Sequence, residues 1–371
     1  MKKLQISAFF AAVILFVLAA CQEATETPNP VPVAEEKPLF AVPKNFPAPI
    51  YALDKKPITQ DGFLLGKTLF YDGILSRDGS ISCGECHRQD FAFTHHLHDL
   101  SHGIDNQIGL RNAPPLHNLA WGKSFMWDGG VFDLDLFSVA PIENPVEMHE
   151  KLGNVLEKLR KSPTYPALFK KAFGTEEIST ERFLKSLSQF MLSLVSANSR
   201  YDKYIRKEGV MLSSTELAGL ELFKQKCAAC HAGELFTNDS FRNNGLPIFR
   251  ERYQSVTKVV DGVKKTVLEL VVDDGRMRIT ELLSDKNKFK VPSLRNIEHT
   301  QPYMHDGRFA TLQEVLNHYS DGVADTQNLD PILKQNGRLG IALTDTEKTQ
   351  IIAFLRSLTD VEYLSDKRFT P

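Results

Sequence analysis

The sequence predicts a mainly α-helical chain of two domains, and three observations carry that prediction. A five-residue run, Cys83-Gly84-Glu85-Cys86-His87, recurs as Cys227-Ala228-Ala229-Cys230-His231. Apolar residues recur at three- and four-residue spacing ahead of each copy and again between Glu150 and Lys207, which is the period of a helix. The only β-type pattern is short: Val256 to Val260 and Thr266 to Val272 flank Asp261-Gly262, the signature of a hairpin set on the second domain.

Residues 1–20 read as a targeting segment. Lys2 and Lys3 give a positive start, and Phe9 to Ala20 form an apolar run too short for a good membrane span. Leu18-Ala19-Ala20-Cys21 resembles a bacterial lipobox. Cleavage before Cys21 and acylation of its thiol would leave a periplasmic protein anchored to a membrane by lipid. An ordinary secretory signal is the alternative. The stretch 21–49 is rich in Pro, Glu, Thr and Ala and reads as a disordered tether. About 350 residues remain after the leader, enough for an N-terminal domain over 50–205 and a C-terminal domain over 206–371. A formal net charge of −2 gives no reason to expect a nucleic-acid partner.

In the N-terminal domain, Leu64, Leu65, Leu69 and Phe70 place an amphipathic helix over 61–71, ending at Asp72-Gly73. The first Cys-x-x-Cys-His run follows. Its thiols lie one helical turn apart and can add across the two vinyl groups of a haem, while the histidine presents an imidazole to the iron. Each run therefore predicts one covalently bound haem c, held by Cys83, Cys86 and His87 or by Cys227, Cys230 and His231. A zinc half-site is the competing reading. It needs further Cys or His ligands at regular spacing, and none follows Cys230 beyond His231 itself. Of the five cysteines, four go to haem and Cys21 to lipid, leaving none for a disulfide. Val155, Leu156, Leu159, Phe183, Leu187, Phe190, Met191 and Leu194 then continue the helical period, and Ser213 to Glu216 reads as a capping box opening the helix that presents the second run.

At these positions the sequence resembles the bacterial di-haem cytochrome c peroxidases and their relative MauG, which matures a tryptophylquinone cofactor. The resemblance runs through Leu65-Gly66, Leu69-Phe70, Asp72, Leu75-Ser76, the first run, Arg111-Asn112-Ala113-Pro114, Trp127-Asp128-Gly129, Pro141 to Met148, the second run, Phe289 to Asn296 and Pro302 to Gly307. It covers nearly all the chain after Tyr51, and it implies two cytochrome c-like helical domains, each holding one haem.

Several roles follow from that resemblance. Glu147 would be the acid and base over the first haem, moving a proton between the two oxygens of a peroxide. Where the family often has glutamine, this chain has Phe137. Where many relatives have a removable histidine ligand, it has Ile104, and His102 is the nearest imidazole able to serve as that iron ligand; an open or water-bound iron is the alternative. The trio His95, His96 and His98 reads as a solvated loop. Trp127 would sit between the haems and carry electrons, and His305 would help position the second haem. Asn112, Thr300 and Pro302 match positions that hold calcium through oxygen donors. Opposite His231 most relatives use methionine; here the position is Tyr319, matching MauG, with His318 and Met304 as alternatives.

The implied activity is reduction of hydrogen peroxide to water with electrons from a small donor protein, a cytochrome c or a cupredoxin, in a chain able to form a homodimer. Two other readings stay open: a MauG-like oxidase of a protein or small substrate, and a non-enzymatic electron-transfer di-haem cytochrome.

Overall fold

The computed structural model of the chain describes residues 37–95, 98–247, 253–260 and 262–371. The leader, Cys21, most of the expected tether and His96 lie outside them. Where the tether was expected to continue to residue 49, the chain is instead seated on the protein from Leu39 onward. Phe40 stacks on Trp121 at 5.6 Å, Phe46 meets the same indole edge-on at 5.1 Å, and the Trp121 Nε1 donates to the Pro47 carbonyl. Two buried aromatic contacts outweigh the proline-rich composition that suggested disorder.

The first helix, α1 (Gln60–Tyr71), begins at Thr59, whose side chain accepts from the Gly62 N–H. Phe63, Leu65, Leu69 and Phe70 face inward, whereas Leu64, expected on that face, is exposed. The helical stretch between Glu150 and Lys207 resolves into α2 (Leu152–Lys161), α3 (Tyr165–Phe173), α4 (Thr180–Ser193) and α5 (Arg200–Ile205). The capping box at Ser213 and Glu216 is present and opens α6 (Ser214–Lys226). Beyond it come α7 (Leu312–Asn317) and α8 (Asp345–Arg356). The expected hairpin pairs Tyr253–Val260 with Val263–Leu270 in antiparallel register.

Two hydrophobic clusters organise residues 39–371. The first draws on α1, α2, α3 and α4, the second on α6, α7 and α8. The C-terminal segment crosses back, burying Tyr363 and Phe369 in the first cluster.

The clusters repeat one design. In each, a glycine lets the helix that leads into the Cys-x-x-Cys-His run touch the last helix of its cluster. A Cβ at Gly66 would come within 1.9 Å of the Ser186 carbonyl oxygen on α4, and one at Gly219 within 1.9 Å of the Gln350 carbonyl oxygen on α8. Each cluster then carries a Pro-x-Leu-x-Asn or Pro-x-Leu-x-Asn-like loop, Pro114 to Asn118 and Pro292 to Asn296, ending in a left-handed asparagine that starts a short 3₁₀ turn. A matching bend follows. Phe125 bridges Val131 around Met126-Trp127-Asp128-Gly129, as Tyr303 bridges Phe309 around Met304-His305-Asp306-Gly307, with both methionines at positive φ. Trp127 is thus the counterpart of His305, and His117 of Arg295. The paired asparagines converge on one residue of the connection between α4 and α5. Asn118 exchanges two hydrogen bonds with the Ser196 backbone, and Asn296 donates to the Ser196 hydroxyl.

Candidate functional site

At the first run, a one-turn helix (Cys83–Cys86) presents both thiols, with His87 directly after it. The His87 Nδ1 lies 2.7 Å from the Phe93 carbonyl oxygen. A carbonyl only accepts, so Nδ1 carries the proton and the Nε2 lone pair is left for a metal. At the second run the His231 Nδ1 lies 3.1 Å from the carbonyls of both Phe236 and Pro292, which fixes the same tautomer. Burial holds both imidazoles neutral, pushing His87 down to about 4. None of the four thiols is in a disulfide, and burial pushes Cys83, Cys86 and Cys227 up to about 12, so they stay protonated. Unspent thiol pairs beside a neutral imidazole with a free Nε2 are what covalent haem attachment requires, and the residues present fit two such groups.

Glu147 lies beside the first run. Its carboxylate accepts from the Asn144 side-chain amide at 2.8 Å, and its carbonyl accepts from the Ile104 N–H at 2.8 Å. Burial raises its pKa above the ordinary carboxylate range, partly offset by the Asn144 hydrogen bond. Cys83 and Cys86 both feel its charge. Gly103 is pressed against this segment: a Cβ there would come within 2.2 Å of the Val146 carbonyl oxygen.

Between the two clusters lies a cavity of about 110 Å3. Trp127 and Phe137 line it from one side, Lys290 and Pro292 from the other. The Trp127 Nε1 donates to the Asn112 carbonyl at 2.8 Å, and its ring meets that of His305 edge-on at 6.4 Å. His305 in turn stacks on Phe289 at 3.6 Å. The aromatic residues of the two repeats therefore make one continuous contact.

Near the second run, the three side chains weighed as partners for the iron gather around Asn244. Tyr319 hydrogen-bonds its side chain and lies close enough to Cys230 and Cys227 for their charges to matter; burial pushes the phenol up to about 12. The Met304 sulfur accepts from the Asn244 amide at 3.5 Å. The His318 Nε2 lies 2.9 Å from the Asn244 carbonyl, so that nitrogen is already committed as a donor. A five-residue π turn, His318–Gly322, sets His318 and Tyr319, a device common at functional sites, while Met304 comes from the Tyr303–Phe309 bend.

The di-haem cytochrome c peroxidase profile matches residues 60–209. The chain is 31% identical over 335 residues to the methylamine utilization protein MauG of Methylorubrum extorquens, covering 88% of this chain and 85% of that one. The chain belongs to the di-haem cytochrome c peroxidase family. It is also 33% identical over 309 residues to the cytochrome c551 peroxidase of Nitrosomonas europaea, covering 82% of this chain and 81% of that one. Among solved structures, a MauG-like protein associated with microbial copper homeostasis matches with a TM-score of 0.75 and 31% identity, over 89% of this chain and 97% of that one. Two haem c groups in cytochrome c-like helical domains follow from membership.

Other sequence-predicted residues of this family member fall as follows. The His102 ring is turned toward His98, with Nε2 3.3 Å from the His98 Nδ1, while its carbonyl accepts weakly from the Cys86 thiol. The loop expected to be solvated is only partly so. His98 is exposed, but His95 is buried, with the rings of His98 and His102 against it. Among the described residues no group of three or more His, Cys, Asp or Glu side chains has metal-binding geometry. Of the calcium candidates, the Asn112 amide donates to the Pro302 carbonyl at 2.9 Å and its N–H to the His305 carbonyl at 2.7 Å, while Thr300 is buried with its hydroxyl on the Ile297 carbonyl. Asn244 went unnoticed in the sequence, because no motif marks the second of two asparagines after a two-residue strand.

Proposed function

We propose that the chain reduces hydrogen peroxide to water with two electrons from a small donor protein, a cytochrome c or a cupredoxin, and that the His87 site is where peroxide is handled. One observation carries this reading: a partly buried carboxylate of raised pKa, Glu147, held by Asn144 beside the first pair of thiols. Haem held by Cys83, Cys86 and His87 would offer peroxide an iron position, and haem held by Cys227, Cys230 and His231 a store for the donor's electrons.

The residues of the chain then have definite work. Glu147 accepts the proton from one peroxide oxygen and returns it to the other, which leaves as water; two donor electrons and two protons complete the conversion to two waters. Asn144 fixes the direction of that carboxylate. Phe137 contributes no hydrogen bond, so the proton traffic falls on Glu147. Trp127 and His305 supply the aromatic contact by which electrons pass between the two repeats. Calcium, if bound, would draw on oxygen atoms of Asn112, Thr300 and Pro302. Export and acylation at Cys21 would hold the enzyme at a periplasmic membrane surface.

A second reading is favoured by Tyr319. A phenol beside Cys227 and Cys230, where a thioether would raise the reduction potential, suits a MauG-like enzyme that draws electrons out of a protein or small substrate. Stopped-flow mixing of the holoprotein with peroxide separates the readings. Turnover with reduced cytochrome c supports the peroxidase, and a long-lived oxidised state without donor turnover supports the second. No spectral change would refute both and leave an electron-transfer cytochrome.

A further inference from the structure

The segments that leave the last helix of each cluster cross over. After α4, which packs in the first cluster, the chain turns at Ser199 and buries Tyr201 of α5 in the second. After α8, which packs in the second, it turns at Asp360 and buries Tyr363 of the one-turn helix Val361–Leu364 in the first. The crossing segments are tied to each other where they meet. The Asp360 carboxylate accepts from the N–H groups of Ala197 and Asn198 at 2.9 and 2.8 Å, and the Tyr201 N–H donates to the Ser357 carbonyl at 3.1 Å.

Each tyrosine lands on one particular residue of the repeat it enters. Tyr363 packs on Phe93 with ring centres 5.7 Å apart, and Tyr201 packs on Phe236 at 5.3 Å. Phe93 and Phe236 are the residues whose carbonyls face the Nδ1 atoms of His87 and His231. A polar residue just past each histidine completes the contact. The Gln89 amide donates to the carbonyls of Tyr363 and Asp366 at 3.1 and 2.9 Å, and the Glu234 side chain hydrogen-bonds that of Tyr201. On the first side the hold goes further. The Tyr363 hydroxyl donates to the Leu116 carbonyl, the Leu116 N–H donates to the Phe93 carbonyl at 3.2 Å, and Phe369 sets a second ring against Phe93 at 6.3 Å. His231 has a further acceptor in Pro292, whereas for the His87 Nδ1 the acceptor is the Phe93 carbonyl.

We propose that Tyr363 and Tyr201 are positioning residues for the two iron-binding histidines, each supplied by the repeat that does not carry the histidine it braces. A packed ring fixes where the carbonyl of its phenylalanine partner points. That carbonyl sets how strongly the Nδ1–H is held, and so how much electron density the imidazole gives its metal. The second repeat thereby tunes His87, and the first repeat tunes His231. The inference rests on the chain holding two haems through these histidines, not on what those haems do with peroxide.

The test uses the holoprotein and reads both reduction potentials by spectroelectrochemical titration. Phe93→Leu and Phe236→Leu, each acting on one histidine directly, assign the two couples. Without the Tyr363 ring the Phe93 carbonyl relaxes, the bond to Nδ1–H weakens, and His87 gives less electron density to the iron, which favours the reduced form. Tyr363→Ala is therefore expected to raise the reduced-to-oxidised ratio of the couple moved by Phe93→Leu about tenfold at fixed potential, an upward shift of about 59 mV for one electron. The other couple should stay within about twofold. Tyr201→Ala should move that other couple about threefold, less because Pro292 still holds His231. Tyr363→Phe keeps the ring on Phe93 and should leave both couples within about twofold of the parent. The proposal is overturned if Phe93→Leu moves neither couple, if Tyr363→Ala leaves the assigned couple in place, or if it moves both couples equally, as a general loosening would. Should Tyr363→Ala fail to retain both haems, Gln89→Met decides. It deletes two hydrogen bonds to the crossing segment and is expected to raise the same ratio about threefold; an unmoved couple there overturns the proposal equally.

Discussion

The Asp202–Arg295 pair sets up a quantitative test of how the second cluster is held. Both side chains are 0% exposed, and the carboxylate also accepts from the Ser199 N–H and hydroxyl and from Asn45. A pair this dry recovers little net energy relative to a hydrophobic replacement, but removing one partner strands a buried charge. Asp202→Ala is therefore expected to cost about 3–5 kcal/mol, on the order of 10 °C in Tm. The double variant Asp202→Leu with Arg295→Met should recover most of that loss. Urea titration of the holoprotein, followed at the haem band and by circular dichroism, measures both. A loss below about 1 kcal/mol in Asp202→Ala, or a double variant no better than the single, would refute the reasoning. Acid supplies the sign check. Burial raises the Asp202 pKa, but the Arg295 donors and charge outweigh it and hold it below its ordinary value. Its stabilisation is thus complete above the unfolded carboxylate pKa, near 3.9, and fades as pH falls through the lower folded value. Asp202→Asn should lose that part of the acid transition.

Other outcomes follow from the site. Glu147→Gln should lower kcat/KM for peroxide about 10²- to 10⁴-fold with both haems retained; a loss under threefold in steady-state assays would remove Glu147 from the proton path. Asn144→Ala deletes the hydrogen bond that opposes the raised pKa of Glu147, so the acid limb of the pH–kcat/KM profile should move to higher pH, because the base is active only when deprotonated. Tyr319→Phe should alter the low-temperature paramagnetic resonance spectrum of the second haem while leaving the first unchanged; an identical spectrum would place the phenol off the iron. Gly103→Ala should reduce peroxide turnover, since its new methyl meets the Val146 carbonyl and displaces Glu147.

Much of this was legible in the sequence because its signals are local. The two Cys-x-x-Cys-His runs carry their chemistry in five residues, and α1, the capping box at Ser213 and the hairpin follow from periodicity and turn chemistry. What stayed hidden depends on partners far away along the chain. Phe40 and Phe46 look like residues of a loose tether until Trp121 arrives beneath them. The burial of His95 depends on the rings of His98 and His102, and Asn244 matters only because α7 and its extension bring His318 and Tyr319, and the Tyr303–Phe309 bend brings Met304, around it. The repeat was visible as residues but not as pattern, since only a few positions of each bend are shared: Met126-Trp127-Asp128-Gly129 against Met304-His305-Asp306-Gly307.

The π turn at His318–Gly322 holds one residue more than the α turn it replaces, and an α-helix advances about 100° per residue. Deleting a single residue there would swing the whole face round and offer a neighbour of Tyr319 to the space above Cys227 and Cys230. With a phenol, an imidazole and a thioether already crowded about one amide, slipping the backbone one step would change which of these atoms faces Cys227 and Cys230, without inventing a new side chain.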